Sequence, residues 1–374
     1  MELADNQGLW GRKVKLTVDH TKVTGDETDA QIPLIWNGTN GNIPAEVYNA
    51  GATSPLSDGG DIRFSSDEAG TVELPMEIVT FTPNATVGSA RVEIWVKLAS
   101  ISSANNTDFY MWWNNATAAR YTYIDTYGRN AVWQNYFVAV YHMNEGDAED
   151  ATGTSHTGTN YGTDDTTTAL GTARLFVMSS RDYIKVVGLM GNNTTVSIFA
   201  LVDNTDIDTN GAEVISLGDH VVIRLLASAA NECFYYTGSG YYYTTNNVSV
   251  QDQGLCSLHY ICSPPGSTQR FYTNGGGVGT TTHNTAISYA GLGANTYIGR
   301  HGNGDTNKDY GGKIDELRIS SVDKGTTHPV FEYNSTIGFA TFLSPGDPYS
   351  TGGWFLLSNR NNLYNTMQLT GGMR

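Results

Sequence analysis

Charge is scarce in this sequence, and positive charge scarcest: only 16% of the 374 residues are charged, with 21 basic side chains against 37 acidic ones. A formal net charge of −16 argues against binding a nucleic-acid backbone, which needs clustered Lys and Arg. Cysteine is rarer still. Three residues, Cys233, Cys256 and Cys262, are too few for a disulfide framework, and an odd count leaves at least one thiol unpaired within the chain. Cys256 and Cys262 could pair across a turn, but burial as small apolar side chains in strands is the expectation for all three. No apolar run approaches the roughly 18 residues of a membrane span, so no membrane insertion is expected. No segment of a dozen residues holds a clean helical period, which leaves short helical turns near Asn115–Tyr123 and Pro329–Asn334. The first twenty residues carry Glu2, Asp5 and Asp19 and lack the basic-then-apolar layout of a secretion signal.

What the chain has instead is glycine, at 42 positions, with 22 Tyr and 7 Trp. Many turns and an uncharged polar surface follow from that composition. Strands announce themselves by alternation. Val14, Leu16 and Val18 face one way in Arg12–His20, and Val92, Ile94, Val96 and Leu98 do so in Arg91–Ser100. Thr195–Asp203 is apolar on both faces, as a central strand between two layers would be. Asp58-Gly59-Gly60, Asn274-Gly275-Gly276 and Gly302-Asn303-Gly304 supply turns between such runs. The fold class is all-β. Length suggests two domains, since single cores seldom grow past roughly 250 residues. The expected architecture is two β-sandwich domains with a boundary around Tyr127–Tyr136, and a further change near Pro345.

At this point the order of several motifs becomes recognisable. Trp10-Gly11-Arg12-Lys13-Val14, Asp58-Gly59-Gly60-Asp61-Ile62-Arg63-Phe64, Leu74-Pro75-Met76-Glu77-Ile78, Ile94-Trp95-Val96-Lys97-Leu98 and Val132-Trp133-Gln134-Asn135-Tyr136 together resemble a β-sandwich domain of unknown function that commonly precedes a concanavalin-A-like domain. Val140-Tyr141-His142-Met143-Asn144-Glu145, Phe271-Tyr272-Thr273-Asn274-Gly275, Tyr297-Ile298-Gly299-Arg300 and Gly312-Lys313-Ile314-Asp315-Glu316-Leu317-Arg318-Ile319-Ser320 resemble the laminin-G-like branch of the concanavalin-A-like jelly rolls. The resemblance implies a domain of unknown function at 1–132 and a concanavalin-A-like jelly roll at 133–340; residues 341–374 lie outside it and are expected, from their own apolar composition, to be a C-terminal docking segment.

It also implies a surface module of the kind found in phage virions and on prokaryotic cell surfaces. With no secretion signal at Met1, the expectation is a non-enzymatic virion protein, decorating a capsid or belonging to a tail or fibre. Its partners would be other virion proteins or copies of itself, and host-surface glycans. The alternative is a secreted cell-surface adhesin that binds glycans, and a third reading is a glycan-active enzyme.

Candidate sites follow from side-chain chemistry. No paired-carboxylate strand, nucleophile elbow or zincin motif occurs, so no catalytic residue is assigned. Sugar recognition needs aromatic platforms beside polar groups. Tyr235, Tyr236, Tyr241 and Tyr243 flank Gly238-Ser239-Gly240, and Trp112 sits in a second aromatic cluster. Alternate members of such a hairpin can equally fill the core. For a structural Ca²⁺, Asp305, Asn307 and Asp309 place oxygens at alternate positions of a turn. Asp315 is expected on the strand face of Leu317 and Ile319, where a buried carboxylate needs a cation or several donors. An Asx-rich turn and a hydrogen-bonded aspartate account for the same residues. Trp354, Phe355, Leu356 and Leu357 make the tail too apolar for a free linker, so docking on its own domain or on a neighbouring chain is expected.

Overall fold

The computed structural model describes residues 2–144, 146, 148–189, 193–227, 231–264 and 267–351. Alternation assigns the layers. In Arg12–Val18 the residues Val14, Leu16 and Val18 are fully buried, while Lys13, Lys15 and Thr17 stay at least partly exposed. This strand pairs antiparallel with Thr107–Trp113, which carries Arg63–Ser65 on its other edge. A second sheet, Glu27–Trp36, Arg91–Ile101 and Met76–Thr82, closes the first sandwich over a core that includes Leu16, Ile32, Ile94 and Phe109.

The second sandwich has larger sheets. One runs in the order Gly276–His283, Ser267–Thr273, Cys256–Cys262, Val196–Ile207, Tyr310–Ser320, Thr172–Phe176, Asp164–Thr167, with Phe137–Tyr141 also on Tyr310–Ser320. The other runs Tyr241–Asn246, Asn231–Tyr236, Val221–Leu225, Ala212–Leu217, Asn295–Ile298, Tyr183–Val187, Thr159–Tyr161. The fold is all-β with two sandwiches. Val196–Ile207 shows why its sequence is apolar on both sides. Val196, Ile198, Ala200 and Val202 fill the second core, while Phe199 and Leu201 join Ile35, Trp95, Trp133 and Phe339 in an apolar cluster between the sandwiches.

After Tyr310–Ser320 the chain leaves the second sandwich and returns to the first. Helix His328–Thr336 has Pro329 in its first turn, where the missing N–H costs nothing. It sets Phe331 into the first core, and Phe342 and Leu343 follow. Strands Leu343–Pro345 and Tyr349–Ser350 then pair with Arg12–Val18. The first sandwich is therefore made from two distant stretches, where the sequence alone suggested a division at 132 and 340. Trp354, Phe355, Leu356 and Leu357 lie outside the described residues.

Two local expectations are corrected. Asn115–Tyr123 contains no helix: Asn115 Oδ1 accepts the Thr117 N–H at 3.0 Å and the Thr117 hydroxyl at 2.8 Å, and such an Asx turn competes with helical bonding. Cys256 and Cys262 cannot pair across a turn, because they are the two ends of one strand, separated by roughly 20 Å at about 3.3 Å per residue. All three cysteines are free and buried, and burial pushes the Cys262 thiol up to about 12.

The junction between the sandwiches holds a chain of alternating charges. Glu27 accepts from His328 Nδ1 at 2.8 Å, and His328 Nε2 meets Glu332 at 3.1 Å. Glu332 pairs with Arg318 Nη1 at 2.8 Å, and Arg318 Nη2 pairs with Glu316 at 2.8 Å. Glu316 takes His142 Nδ1, and His142 Nε2 reaches Glu77 at 2.9 Å. Glu27 and Glu77 belong to the first sandwich, whereas Arg318, Glu316 and His142 belong to the second. The Arg318 guanidinium also lies 4.3 Å from the Trp95 ring centre and 5.1 Å from those of Trp133 and Phe199.

Burial disfavours every one of these charges, so each depends on its neighbours. Against burial, Glu316 and Glu77 hold His142 well above its ordinary value. Burial would raise Glu332, yet Arg318 and His328 bring it down to about 2. Replacing Arg318 by Met is expected to destabilise the protein by about 3–5 kcal/mol, because Glu316 and Glu332 lose their shared cation; urea unfolding followed by tryptophan fluorescence measures it. Because the folded-state value of Glu332 lies below its ordinary 4.5, its contribution is complete above that pH and is lost as pH falls toward about 2. His328 is raised from 6.5, so its contribution is complete below that pH and fades as pH climbs through the folded-state value. Thermal unfolding across pH should show the acid loss in that window, and Glu332→Gln should flatten it.

Candidate functional site

The tyrosine hairpin divides its residues by strand alternation. Asn231–Tyr236 and Tyr241–Asn246 pair with Phe234 opposite Tyr243, Tyr235 opposite Tyr242 and Tyr236 opposite Tyr241. Thr237 N–H and Gly240 carbonyl close the turn at 2.9 Å, with Gly238 at φ +93°, a backbone that favours glycine. Tyr235 therefore points inward. It is fully buried in the second core and donates its hydroxyl to Thr285 O at 2.8 Å, so it has no face free for a ligand. Tyr236, Tyr241 and Tyr243 lie on the other side, Tyr241 and Tyr243 against Phe234 at ring separations of 5.3 and 5.0 Å and Tyr236 against Tyr241 at 5.2 Å. Tyr243 is 44% exposed. Trp112 is also removed from the candidates. It is 2% exposed and its indole N–H donates to Ser65 Oγ at 2.8 Å.

Charged groups brace this outer face. Arg224 sits 4.6 Å from the Phe234 ring centre and pairs with Glu213 at 2.6 Å and Glu232 at 2.9 Å. Burial works against the Arg224 charge, and the two carboxylates hold it above its ordinary value. His301 Nδ1 adds a contact to Glu213 at 2.9 Å, and Tyr241 donates its hydroxyl to Asp219 at 2.5 Å. Burial, then this bond to a carboxylate, raises the Tyr241 hydroxyl. The aromatic rims are thereby fixed in place, a condition for stacking on a ligand without a large ordering cost.

The same sheet face carries a second aromatic group that no local spacing announces. Tyr161 stacks on Tyr183 at 4.5 Å and 7°, Tyr297 follows at 5.7 Å, and Arg300 covers Tyr183 at 4.1 Å. Ile184, Val186 and Ile298 on these strands enter the core, so their tyrosine neighbours face outward. Tyr161 is 44% exposed. Three single tyrosines from distant strands meet only because the sheet orders those strands side by side.

Two of the proposed calcium ligands are already engaged by cationic side chains. Asp309 Oδ1 is bonded to Arg300 Nε at 2.7 Å, and Asn307 Oδ1 already faces the Lys308 ammonium at 3.1 Å. Asp305 is exposed. Asp315 lies elsewhere, and its strand face is also corrected. Phe199 opposes Arg318 while Leu201 opposes Asp315, so three steps on one strand match two on the other. Glu316, at φ +47°, is the extra residue of this bulge. The bulge puts Ile314 and Leu317 in the second core and turns Asp315 away from it. Asp315 there takes the Thr168 hydroxyl, and burial together with Glu316 raises its carboxyl well above the ordinary range. These four residues do not fit one calcium ion.

A lectin-like jelly-roll domain is what this second sandwich defines. Residues 179–324 match the family model described as the concanavalin A-like lectin/glucanases superfamily. Among solved structures, domain 4 of AbnA, a GH43 extracellular arabinanase from Geobacillus stearothermophilus, is similar with 17% identity and a TM-score of 0.45, covering 54% of this chain and 100% of that one. The binding domain of Paraclostridial mosquitocidal protein 1 is similar with 10% identity and a TM-score of 0.45, over 54% of this chain and 52% of that one. The CBM40 of the Ruminococcus gnavus IT-sialidase is similar with 11% identity and a TM-score of 0.33, over 38% and 83% of the two chains. This chain thus spans about half the length of the mosquitocidal binding domain. No curated protein matches it.

Proposed function

We propose that the protein is a non-catalytic glycan-binding surface protein, whose second sandwich presents the outer face of its seven-stranded sheet to sugars. The observation that carries this reading is the pair of braced, part-exposed tyrosine groups on that face, Tyr241 with Tyr243 and Tyr161 with Tyr183. Pyranose rings stack on such faces, while Glu232, Arg224 and Lys185 supply partners for hydroxyls. The family match over 179–324 supports a lectin-like role for the same sandwich. In this reading the first sandwich is a rigid mount, joined through the buried charge chain. The setting we propose is a phage virion, as a capsid decoration or a part of the tail, with other virion proteins as partners.

A glycan array probed with the full chain should show saturable binding to a restricted set of sugars, with no turnover of the bound sugar. Tyr243→Ala and Tyr161→Ala should each weaken that binding by about tenfold, the scale of one good aromatic contact, at nearly unchanged stability. Affinity unmoved in both variants removes the sheet face as the site. Copurification with particles at fixed stoichiometry tests the virion setting separately.

A further inference from the structure

A cleft of about 470 Å³ opens between the two sandwiches, with walls from both. The first contributes Met76–Val79 and the turn from Arg120 to Tyr123, and the second contributes His142, Asn144 and Glu149. That volume is within the range of small-molecule sites, roughly 300–1,000 Å³. At one side the charge chain ends in it, because His142 and Glu77 are both lining residues.

The electrostatics of this cleft run against the rest of the molecule. The chain carries 37 acidic and 21 basic side chains, yet among the described residues Arg63, Arg120, Arg129 and His142 line the cleft against Glu77 and Glu149. Arg63 is engaged by Glu73, and Arg129 by the half-exposed Glu149 at 2.7 Å. Arg120 differs. It is exposed, donates to the Ile78 carbonyl, and has no carboxylate in ion-pair range among the described residues. Tyr123, 57% exposed with Arg129 at 5.2 Å from its ring centre, adds a flat apolar face beside these cations.

We infer that this cleft is a second binding site, separate from the sheet face, and that it takes a carboxylated sugar. The ligand carboxylate meets the Arg120 guanidinium, whose planar fork suits two parallel bonds. One sugar face lies on Tyr123, and hydroxyls reach Asn144 and Glu149. A neutral sugar leaves Arg120 unanswered, so the cleft discriminates by charge. The choice of a sugar over another carboxylate rests on the glycan reading above; the choice of an anion does not.

The test compares methyl β-D-glucuronide with methyl β-D-glucoside, which differ only in the carboxylate, by NMR titration of the full-length protein. The glucuronide should bind at least about tenfold more tightly, and Arg120→Met should remove that difference, as loss of one charge-assisted pair implies. Both side chains varied are exposed, so Arg120→Met and Tyr123→Ala should leave thermal unfolding unchanged. Equal binding of the two glycosides, glucuronide binding insensitive to Arg120→Met, or no binding at all overturns the cleft assignment. Tyr243→Ala serves as the control: loss of array binding there with an intact glucuronide response leaves the cleft standing. A lost cleft response with an intact Tyr243-dependent array leaves only the sheet face.

Discussion

The arrangement of the two sandwiches depends on one buried cation. Arg318 stands between Glu316 and Glu332, with three aromatic rings around its guanidinium. Through Glu316 it fixes His142 and Glu77, and through Glu332 it fixes His328 and Glu27. Each of these groups would be costly to bury alone. Set in alternation they are tolerable only together, which specifies one mutual placement of the sandwiches. The apolar cluster of Trp95, Trp133, Phe199 and Leu201 supplies most of the attraction at the junction. The charges supply its register.

The bulge at Glu316 makes that register possible. Without the extra residue, strict alternation would send Glu316 and Arg318 to one face and Asp315 and Leu317 to the other. With it, Leu317 stays in the second core while Asp315 and Arg318 both leave it. The backbone accepts φ +47° at a glutamate, a conformation that costs on the order of 1 kcal/mol or more. The ion pairs to His142 and Arg318 offset that strain. Burial would push the Glu316 carboxyl up, and these two cations hold it below its ordinary value.

The same junction shapes what a ligand can meet. Tight apolar packing at one end and the turn from Arg120 to Tyr123 at the other leave a cleft whose polar wall is the end of the charge chain. The tyrosine face of the seven-stranded sheet belongs to the second sandwich alone, and its rims are held by Arg224, Asp219 and Arg300. A binding site on a sheet braced in this way keeps its geometry before the ligand arrives.

Period-two alternation was enough to place strands such as Arg12–Val18 and Arg91–Ile101, and Asn274-Gly275 marked the turn from Ser267–Thr273 to Gly276–His283. The two apolar faces of Thr195–Asp203 even foretold a strand with packing on both sides. Those features are local, so neighbouring residues encode them. Which tyrosines of the hairpin face out was open to either parity, and burial of Tyr235 decided it. Tyr161, Tyr183 and Tyr297 became neighbours only through strand order. Asp315 changed face through a bulge that no spacing reveals. Glu27, Glu77, His142 and Glu332 are unremarkable singly in the sequence, and become one network because the chain returns to its first sandwich after residue 320. Charges interact through space rather than along the chain, so their partners, and the cleft they border, were decided by the tertiary structure alone.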